Sequence, residues 1–222
     1  MARLYCLLIG CLFGHFQTAY ILGRIKGIDI RNYGSGNAGT TNTVRTLGTK
    51  DGLIVLAGDL LKSILAVVVI WLLYGKTHPE NIYLLKLYGA AGCILGHNYP
   101  VYLRFHGGKG VAASAGSLMA LHPWFIPGIA VSFLVPYLVT SYVSLGSLVM
   151  MGVSFIQMLV MGETGVFGAS RPVLTEMYIL MAMITGLCYV QHKGNIGRLL
   201  KGRERKTYLD KRNKALLDKN NE

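Results

Sequence analysis

Charged residues are scarce in this chain of 222 residues: Asp, Glu, Lys and Arg make up 14% of it, against about 25% in a soluble domain. Acidic residues are the rarer sign, with 10 Asp and Glu against 22 Lys and Arg, which gives a formal net charge of +12. Hydrophobic residues make up 52%. In so apolar a chain the positive charge has to lie in short loops. This composition predicts a polytopic membrane protein whose positive charge faces anionic lipid or an anionic substrate.

Patterns that define several other classes of protein are absent. The four cysteines lie in apolar stretches without a CxxC pair, so neither a disulfide framework nor a cysteine metal site is expected. No basic segment is interleaved with aromatic residues, so nucleic acid is not an expected partner. There is no HxxxxD, GxSxG or HExxH motif and no cluster of carboxylates, so we expect no metal and no cofactor. No cleavage site ends the first apolar stretch, which is therefore interpreted as a retained helix.

The charge-free stretches predict the membrane crossings, because a helix needs about 20 mostly apolar residues to cross about 30 Å of hydrocarbon. Residues 110–162 form a run of 53 without Asp, Glu, Lys or Arg, too long for two crossings and short for three. We divide this run at His122-Pro123 and around 140–144, where turn-forming residues fall. The predicted crossings are residues 4–23, 52–74, 87–103, 110–121, 124–139, 145–162 and 173–190.

The orientation follows from the positive charge, because cytoplasmic loops collect Lys and Arg. Seven crossings place 17 of the 22 Lys and Arg on one side, whereas six would send the groups at 24–50 and 104–109 outside. We therefore predict an all-α, polytopic integral membrane protein with seven transmembrane helices, its N-terminus outside and its C-terminus cytoplasmic. Residues 1–222 form one domain with a basic cytoplasmic tail at about 193–222, whose last 20 or so residues are a candidate amphipathic helix on the membrane surface.

Three polar segments fall on the cytoplasmic side in this arrangement, and the first spans residues 31–45. Its glycines let backbone N–H groups approach an anion, and its Ser, Thr and Asn side chains add neutral donors beside an arginine. A flexible loop is the alternative interpretation, but a linker does not require Asn37, Asn42 and Arg45 in such a run. The candidate phosphate-binding residues here are Gly34, Ser35, Gly36, Asn37, Thr41, Asn42 and Arg45.

The second polar segment covers residues 96–110 and ends in a lysine among glycines. It lies just before a predicted helix N-terminus, where free N–H groups and the helix dipole favour an anion and the ammonium adds charge. The spacing is not that of a Walker A loop. Taken singly, His97 is interpreted as a structural cap of the third predicted helix. The candidate residues are His97, Gly107, Gly108, Lys109 and Gly110.

The third polar segment begins where the last crossing leaves the membrane. His192 and Asn195 stand three residues apart and therefore share a helix face, and Arg198 joins them as a binding candidate. Glu204 is interpreted as an ion-pair partner that organises the basic segment rather than as a general base. Ser144 lies on the same side of the membrane, between two crossings, where its hydroxyl could donate to a substrate.

Asp59 and Lys62 are charged residues inside the second predicted crossing. Each would cost about 2.5–3.5 kcal/mol near the centre of a bilayer on insertion scales. Because they stand three residues apart in a helix, they are expected to form an ion pair.

The strings GSGNAGTTNTVRTLG, DLLKS, GHNYPVYLRFHGGKG and HKGNIGRLLKGRE together resemble the motif set of the bacterial acyl-phosphate:glycerol-3-phosphate acyltransferase family, PlsY. Their order and spacing match over nearly the whole chain. The resemblance implies a seven-helix enzyme of the bacterial inner (cytoplasmic) membrane with its active site on the cytoplasmic face. It implies transfer of an acyl group from acyl phosphate, and not from acyl-CoA, to the 1-hydroxyl of glycerol 3-phosphate. The products are lysophosphatidic acid and inorganic phosphate, in the first acylation step of phospholipid synthesis.

The resemblance also assigns roles to residues. It implies an active site of Ser35, Arg45, Lys109, His192 and Asn195, with Ser144 as a plausible addition and the glycine-rich second segment holding glycerol 3-phosphate. Expected partners are the two substrates, membrane lipid and, as a candidate, an enzyme that produces acyl phosphate. The chain departs from the family pattern at His106, where a Lys is common, at Ser63, where a Gly is usual, and in its longer basic tail.

Two other classes of function remain as alternatives. A transporter or channel for a small organic phosphate would also place glycine-rich breaks at helix ends. It predicts broken helices in two repeat halves and polar residues near the midplane, and we find neither pattern in the sequence. A membrane scaffold without chemistry leaves three polar loops on one side unexplained.

Overall fold

The computed structural model describes residues 1–208, and that part of the chain contains ten α-helices and no strand. The predicted all-helical fold is therefore confirmed. Short 3₁₀ turns lie at Ile30–Asn32, Pro79–Asn81 and Val101–Leu103. The helices are α1 (Ala2–Gly14), α2 (Thr18–Ile25), α3 (Thr40–Leu47), α4 (Thr49–Tyr74), α5 (Ile82–Asn98), α6 (Val111–Leu121), α7 (Phe125–Thr140), α8 (Val143–Glu163), α9 (Arg171–Gln191) and α10 (Lys193–Leu200).

Several of these segments have the length and composition of membrane-crossing helices. Within residues 1–208, four are long and apolar enough to cross a bilayer: Ala2–Ile25, which joins α1 and α2, Thr49–Tyr74, Val143–Glu163 and Arg171–Gln191. The helices α6 and α7 are apolar but shorter, as the sequence predicts for residues 110–121. Many large apolar side chains on these helices are exposed, including Leu12, Leu72 and Val139, which suits a surface in contact with lipid.

The first predicted crossing, residues 4–23, is interrupted in the structure. The helix α1 ends at Gly14 and α2 begins at Thr18. Gln17, between them, is fully buried, and its Nε2 donates to the carbonyl oxygens of Gly14 at 3.2 Å and His97 at 2.9 Å. The amide side chain thus donates to carbonyl groups at the ends of two helices, α1 and α5.

The third predicted crossing, residues 87–103, is displaced in the structure. The helix α5 begins five residues earlier, at Ile82, and ends at Asn98, two residues before Pro100. Proline has no N–H group and cannot continue the helix. The early start brings Lys86 into the helix, where its ammonium donates to the carbonyl oxygen of Leu121 at 2.6 Å. The Lys86 ammonium, which the sequence places outside the membrane, is therefore hydrogen-bonded to the C-terminal end of α6.

The scaffold of the bundle depends on a close crossing of α1 and α5. A Cβ atom added to Gly10 would lie closer than 3.0 Å to the carbonyl oxygen of Gly89, and one added to Gly92 would lie equally close to that of Leu7. Small residues at such a crossing let two membrane helices pack backbone to backbone. The main buried core then forms between the helices α4 to α9.

Contacts between helix ends define two ends of the bundle. At one end, Arg3 of α1 pairs with Glu176 of α9 at 2.6 Å. At the other end, all three polar segments of the sequence come together, together with α10 and residues 201–208. The remainder of the predicted tail, residues 209–222, lies outside the described residues, and with it most of the candidate amphipathic helix.

Candidate active site

The first polar segment is held in shape by the buried side chain of Asn42, in the first turn of α3. Its Nδ2 donates to the carbonyl oxygens of Ile30 and Tyr33, both at 3.0 Å. Its Oδ1 accepts from the backbone N–H of Ser35 at 2.8 Å and from the Ser35 hydroxyl at 3.1 Å. All hydrogen-bonding positions of the amide are thereby used within the loop. Asn42, a sequence candidate for substrate binding, therefore orients Ser35, which is itself exposed.

Two glycines give this loop its turn, because Gly34 and Gly36 adopt positive φ angles of 62° and 72°. Such angles are strained for residues with a Cβ atom. The candidates Gly36 and Asn37 lie in the same loop, and Thr41 lies in the first turn of α3.

Arg45, in the last turn of α3, binds to a segment from the other end of the chain. Its Nε and Nη2 donate to the hydroxyl of Thr207 at 3.0 and 2.5 Å, and Nη2 also donates to the carbonyl oxygen of Arg205 at 2.9 Å. We call residues 203–207 the C-terminal strap. Its far end is fixed because the N–H of Thr207 donates to the carbonyl oxygen of Ser141 at 3.0 Å. Burial lowers the pKa of Arg45, although a guanidinium stays charged at neutral pH.

The second polar segment folds back on the end of α5. The N–H groups of Gly107 and Gly108 donate to the carbonyl oxygens of Asn98 and His97, both at 3.1 Å. A Cβ atom at Gly107 would lie closer than 3.0 Å to the His97 carbonyl oxygen, and one at Gly108 equally close to the His97 ring. The glycines are therefore required by close approach, and His97 is buried beneath the loop.

The loop carries Lys109 to the third polar segment. The Lys109 ammonium donates to Oδ1 of Asn195 in α10. Gly110, with φ of 76°, is the N-cap of α6, so Lys109 stands two residues before the first residue of a helix. Burial, followed by the charge of Arg198, lowers the pKa of Lys109 below its usual range.

Glu204, on the C-terminal strap, accepts hydrogen bonds from three side chains of two helices, α8 and α10. Its Oε1 accepts from the Ser144 hydroxyl at 2.9 Å and from Asn195 Nδ2 at 2.6 Å, and its Oε2 accepts from Arg198 Nε at 2.7 Å. Burial alone would raise the pKa of Glu204, but these hydrogen bonds outweigh it and lower the pKa. The carboxylate is thus held ionised, and the pairing with Arg198 is the organising role that the sequence suggests.

His192 lies just after the end of α9 and is buried. Its Nδ1 lies 2.8 Å from the carbonyl oxygen of Cys188. Because a carbonyl only accepts, Nδ1 carries the proton and Nε2 of the neutral ring is an acceptor. Burial, together with the charge of Lys109, lowers the pKa of His192 to about 4, so the ring is neutral at physiological pH.

The structure thus brings the sequence candidates to one end of the bundle through a chain of contacts. Ser144, Asn195 and Arg198 donate to Glu204, and Lys109 is linked to it through Asn195. Arg45 is joined to the same strap at Thr207. The strap also reaches the first loop, because Arg205 Nη1 donates to the carbonyl oxygen of Gly34 at 3.4 Å. Sequence reasoning misses Thr207 and Arg205, since neither belongs to a motif and their partners lie about 160 residues away. Within residues 1–208, no group of three or more His, Cys, Asp or Glu is placed to hold a metal ion.

A bundle of apolar helices that gathers guanidinium, ammonium and glycine-rich backbone groups at one end has the features of an integral membrane protein with a candidate site for anionic groups. The sequence pattern of the family described as glycerol-3-phosphate acyltransferase matches residues 4–202. The chain belongs to this family, PlsY, and the resemblance seen in the motifs is confirmed.

Relatives and solved structures agree with this assignment. A glycerol-3-phosphate acyltransferase of Clostridioides difficile strain 630 is 39% identical, covering 89% of this chain and 92% of that protein. One from Bacillus cytotoxicus is 38% identical, covering 94% and 96%. The crystal structure of the integral membrane enzyme PlsY in its glycerol 3-phosphate form is similar with a TM-score of 0.80 and 30% identity, covering 94% of this chain and 96% of that one. Its lysophosphatidic acid form gives a TM-score of 0.77 and 30% identity, covering 94% and 97%.

Proposed function

We propose that this chain transfers an acyl group from acyl phosphate to the 1-hydroxyl of glycerol 3-phosphate, giving lysophosphatidic acid and inorganic phosphate. The observation that carries the proposal is that two cationic side chains, Arg45 and Lys109, are both joined to the C-terminal strap. Arg45 lies in α3, which follows the first glycine-rich loop, and donates to Thr207 of the strap. Lys109 lies in the second loop and is linked to Glu204 of the strap through Asn195. A reaction between two phosphate-bearing molecules needs such a pair of anion sites.

The chemistry suits a site that positions its substrates. An acyl phosphate is already activated, so binding both molecules in line and stabilising developing negative charge supplies most of the required catalysis. Arg45 and Lys109 neutralise the phosphates, and Ser35 and Asn195 orient them. His192 presents Nε2 as an acceptor for the 1-hydroxyl of glycerol 3-phosphate.

His192 orients that hydroxyl as the substrate binds, and the hydroxyl proton passes to a substrate phosphate as the O1–C bond forms. Glu204 already accepts three hydrogen bonds, and the low pKa of His192 makes it a weak base. In the proposed step the O1–C bond forms, the bond between the acyl carbon and the phosphate oxygen breaks, and phosphate leaves. A phosphate with a second pKa near 6 can accept the proton at neutral pH.

Apolar grooves on the membrane-facing surface can accommodate an acyl chain. One, of about 340 Å³, lies between α7 and α8 beside Val135 and Val149. Another, of about 450 Å³, lies between α1 and α4 beside Leu12 and Leu65. Both are lined almost wholly by apolar side chains, as the chain of a membrane-borne donor requires.

We also propose the seven-crossing arrangement in the bacterial inner membrane, with the active site on the cytoplasmic face. The crossings are α1 with α2 and then α4 to α9, and the short helices α3 and α10 lie at the cytoplasmic end. The charge distribution supports this orientation. The site residues and the single domain of residues 1–222 are parts of the same proposal.

In the cell the reaction is the first acylation step of phospholipid synthesis, and an enzyme that produces acyl phosphate supplies the donor. Family membership favours this enzyme over the transporter and the scaffold.

The test is turnover by the purified chain in liposomes. We expect palmitoyl phosphate and glycerol 3-phosphate together to give lysophosphatidic acid and phosphate in equal amounts, and palmitoyl-CoA to give no product. Phosphate release is expected to need glycerol 3-phosphate. Lys109→Met is the loss-of-function variant, and Lys193→Met, at an exposed lysine of α10, is its matched control. Equal use of palmitoyl-CoA, or full activity of Lys109→Met, would contradict the proposal.

A further inference from the structure

A cluster of polar side chains lies buried between α4, α5 and the break that separates α1 from α2. Asp59 and Lys62 of α4 have side chains that are 2% and 4% exposed, and His97 of α5 is 3% exposed. The sequence predicts the Asp59–Lys62 ion pair, and the structure contains it at 2.9 Å. The proposed mechanism makes no use of this pair.

Every donor of the Lys62 ammonium has a partner. Nζ lies 2.6 Å from the carbonyl oxygen of Phe16, 2.8 Å from His97 Nδ1 and 2.9 Å from Asp59 Oδ1. An ammonium donates three hydrogen bonds and accepts none. The Nδ1 atom of His97 therefore accepts, and in the neutral ring the proton is on Nε2.

That Nε2–H faces the place where the two glycine-rich loops meet. A Cβ atom at Gly108 would lie closer than 3.0 Å to His97 Nε2, and also closer than 3.0 Å to the carbonyl oxygen of Ala38 in the first loop. The backbone of His97 is bound to the second loop, since its carbonyl oxygen accepts a hydrogen bond from the Gly108 N–H. The histidine is thus fixed by Lys62 on one side and supports the second loop on the other.

The surroundings hold this cluster from several sides. The Thr18 hydroxyl donates to Asp59 Oδ1 at 3.1 Å, and Gln17 Nε2 donates to the carbonyl oxygen of His97. Buried ion pairs are costly and are often replaceable by apolar residues without loss of stability. A charged cluster that meets a binding loop is therefore better explained by what it orients than by the stability it adds.

We propose that Lys62 is a positioning residue of the glycerol 3-phosphate site. Its ammonium, held by Asp59 and the Phe16 carbonyl, fixes the tautomer of His97, which holds the loop of Gly107 and Gly108 and so places Lys109. The identity of the ligand rests on the proposed function above. The arrangement itself is independent of that function.

The first test separates positioning from a merely structural role by enzyme kinetics. Asp59→Asn/Lys62→Met removes both charges together, so that neither is left buried alone. We expect the KM for glycerol 3-phosphate to rise at least tenfold, and the KM for acyl phosphate to change by less than threefold. The matched control is Lys86→Met, at a buried lysine near the opposite end of α5, which is expected to keep both KM values. A KM for glycerol 3-phosphate within twofold of the wild-type value would overturn the proposal.

The second test needs neither turnover nor a folded double variant. Nitrogen NMR of the histidine-labelled wild-type protein, with His97 assigned through the signal lost in His97→Gln, reports which ring nitrogen carries the proton. We expect a neutral His97 protonated on Nε2 in the absence of any substrate. Protonation on Nδ1 would overturn the proposal. A wild-type protein without turnover would contradict the proposed function alone, because the NMR experiment tests the arrangement of Lys62 and His97 without turnover.

Discussion

Lys109 donates a hydrogen bond to Oδ1 of Asn195, although the two residues stand 86 positions apart in the sequence. The same amide donates through Nδ2 to Glu204 at 2.6 Å. Asn195 thus joins the second glycine-rich loop to the C-terminal strap. A lysine that the sequence places in a loop becomes part of a fixed network.

We predict that Asn195→Ala lowers kcat/KM by about 100-fold, which corresponds to about 2.7 kcal/mol of transition-state stabilisation. The substitution removes two hydrogen bonds to charged groups, each of which contributes about 1.5–3 kcal/mol. Steady-state kinetics in liposomes measure the effect. Asn81→Ala is the control, because that asparagine lies at the opposite end of the bundle beside Glu80. A loss of less than threefold in Asn195→Ala would show that the amide does not contribute to the site.

The lowered pKa of Lys109 predicts a loss of activity on the alkaline side. The ammonium is present below its pKa and is lost as the pH rises through that value, which burial has moved below the usual lysine range. A pH profile of kcat/KM for glycerol 3-phosphate measures this limb. In Lys109→Arg the limb is expected to move to higher pH, because a guanidinium stays protonated. An unchanged alkaline limb in this variant would assign it to another group.

The contact between Gly108 and the His97 ring predicts that Gly108→Ala displaces the second loop. The added Cβ atom would come closer than 3.0 Å to Nε2. We expect binding of glycerol 3-phosphate, measured by calorimetry, to weaken at least tenfold. Gly186→Ala in α9 is the matched control, because a Cβ atom there meets nothing within 4 Å. Equal affinity in Gly108→Ala and the wild type would refute the close packing of loop and ring.

The three donors that meet at Glu204 predict a loss of stability in Glu204→Gln. The amide nitrogen of glutamine would face another donor, which leaves at least one buried polar group unpaired at a cost of about 1–3 kcal/mol. A lower midpoint of thermal unfolding in detergent measures this effect. Glu163→Gln breaks an ion pair in which the side chains of Arg171 and Glu163 are 69% and 54% exposed, and no measurable change is expected. Equal midpoints for the two variants would contradict the network.

The proposed orientation predicts which inserted cysteines react from each side of the membrane. Thr77, between α4 and α5, and Lys201, after α10, are both exposed. In intact cells we expect a membrane-impermeant maleimide to label Thr77→Cys and not Lys201→Cys, with the reverse in inside-out vesicles. Three of the native cysteines are buried, which limits background. Labelling of both positions from one side would contradict seven crossings.

Local patterns predict much of the fold, because a membrane helix is specified by its own run of apolar residues. Helices lie in the seven predicted segments, although the first is interrupted and the third is displaced, and the short helix after Gly110 ends at the predicted division at His122-Pro123. The break before Thr18 could not be predicted, since it depends on Gln17 reaching α5. Likewise, the start of α5 depends on a carbonyl group of α6 that accepts from Lys86.

The candidate site follows the same division. The motifs predict which loops matter, because glycine next to Arg or Lys is an anion-binding composition in any fold. The roles of individual residues depend on the folded structure. The side chain of Asn42 turns inward and shapes its own loop, and Arg45 contacts Thr207 only because the chain folds back on itself. Contacts between residues far apart in the sequence leave no periodic pattern to detect.

The central claim is transfer of an acyl group to the 1-hydroxyl of glycerol 3-phosphate, and the fate of that oxygen tests it most directly. Glycerol 3-phosphate labelled with ¹⁸O at the 1-hydroxyl is incubated with palmitoyl phosphate and the purified chain in liposomes. The masses of the products are then determined by mass spectrometry. We predict that the label is retained in the ester oxygen of lysophosphatidic acid and that the released phosphate is unlabelled. A glycerol bisphosphate carrying the label, or free fatty acid without labelled lysophosphatidic acid, would contradict the account.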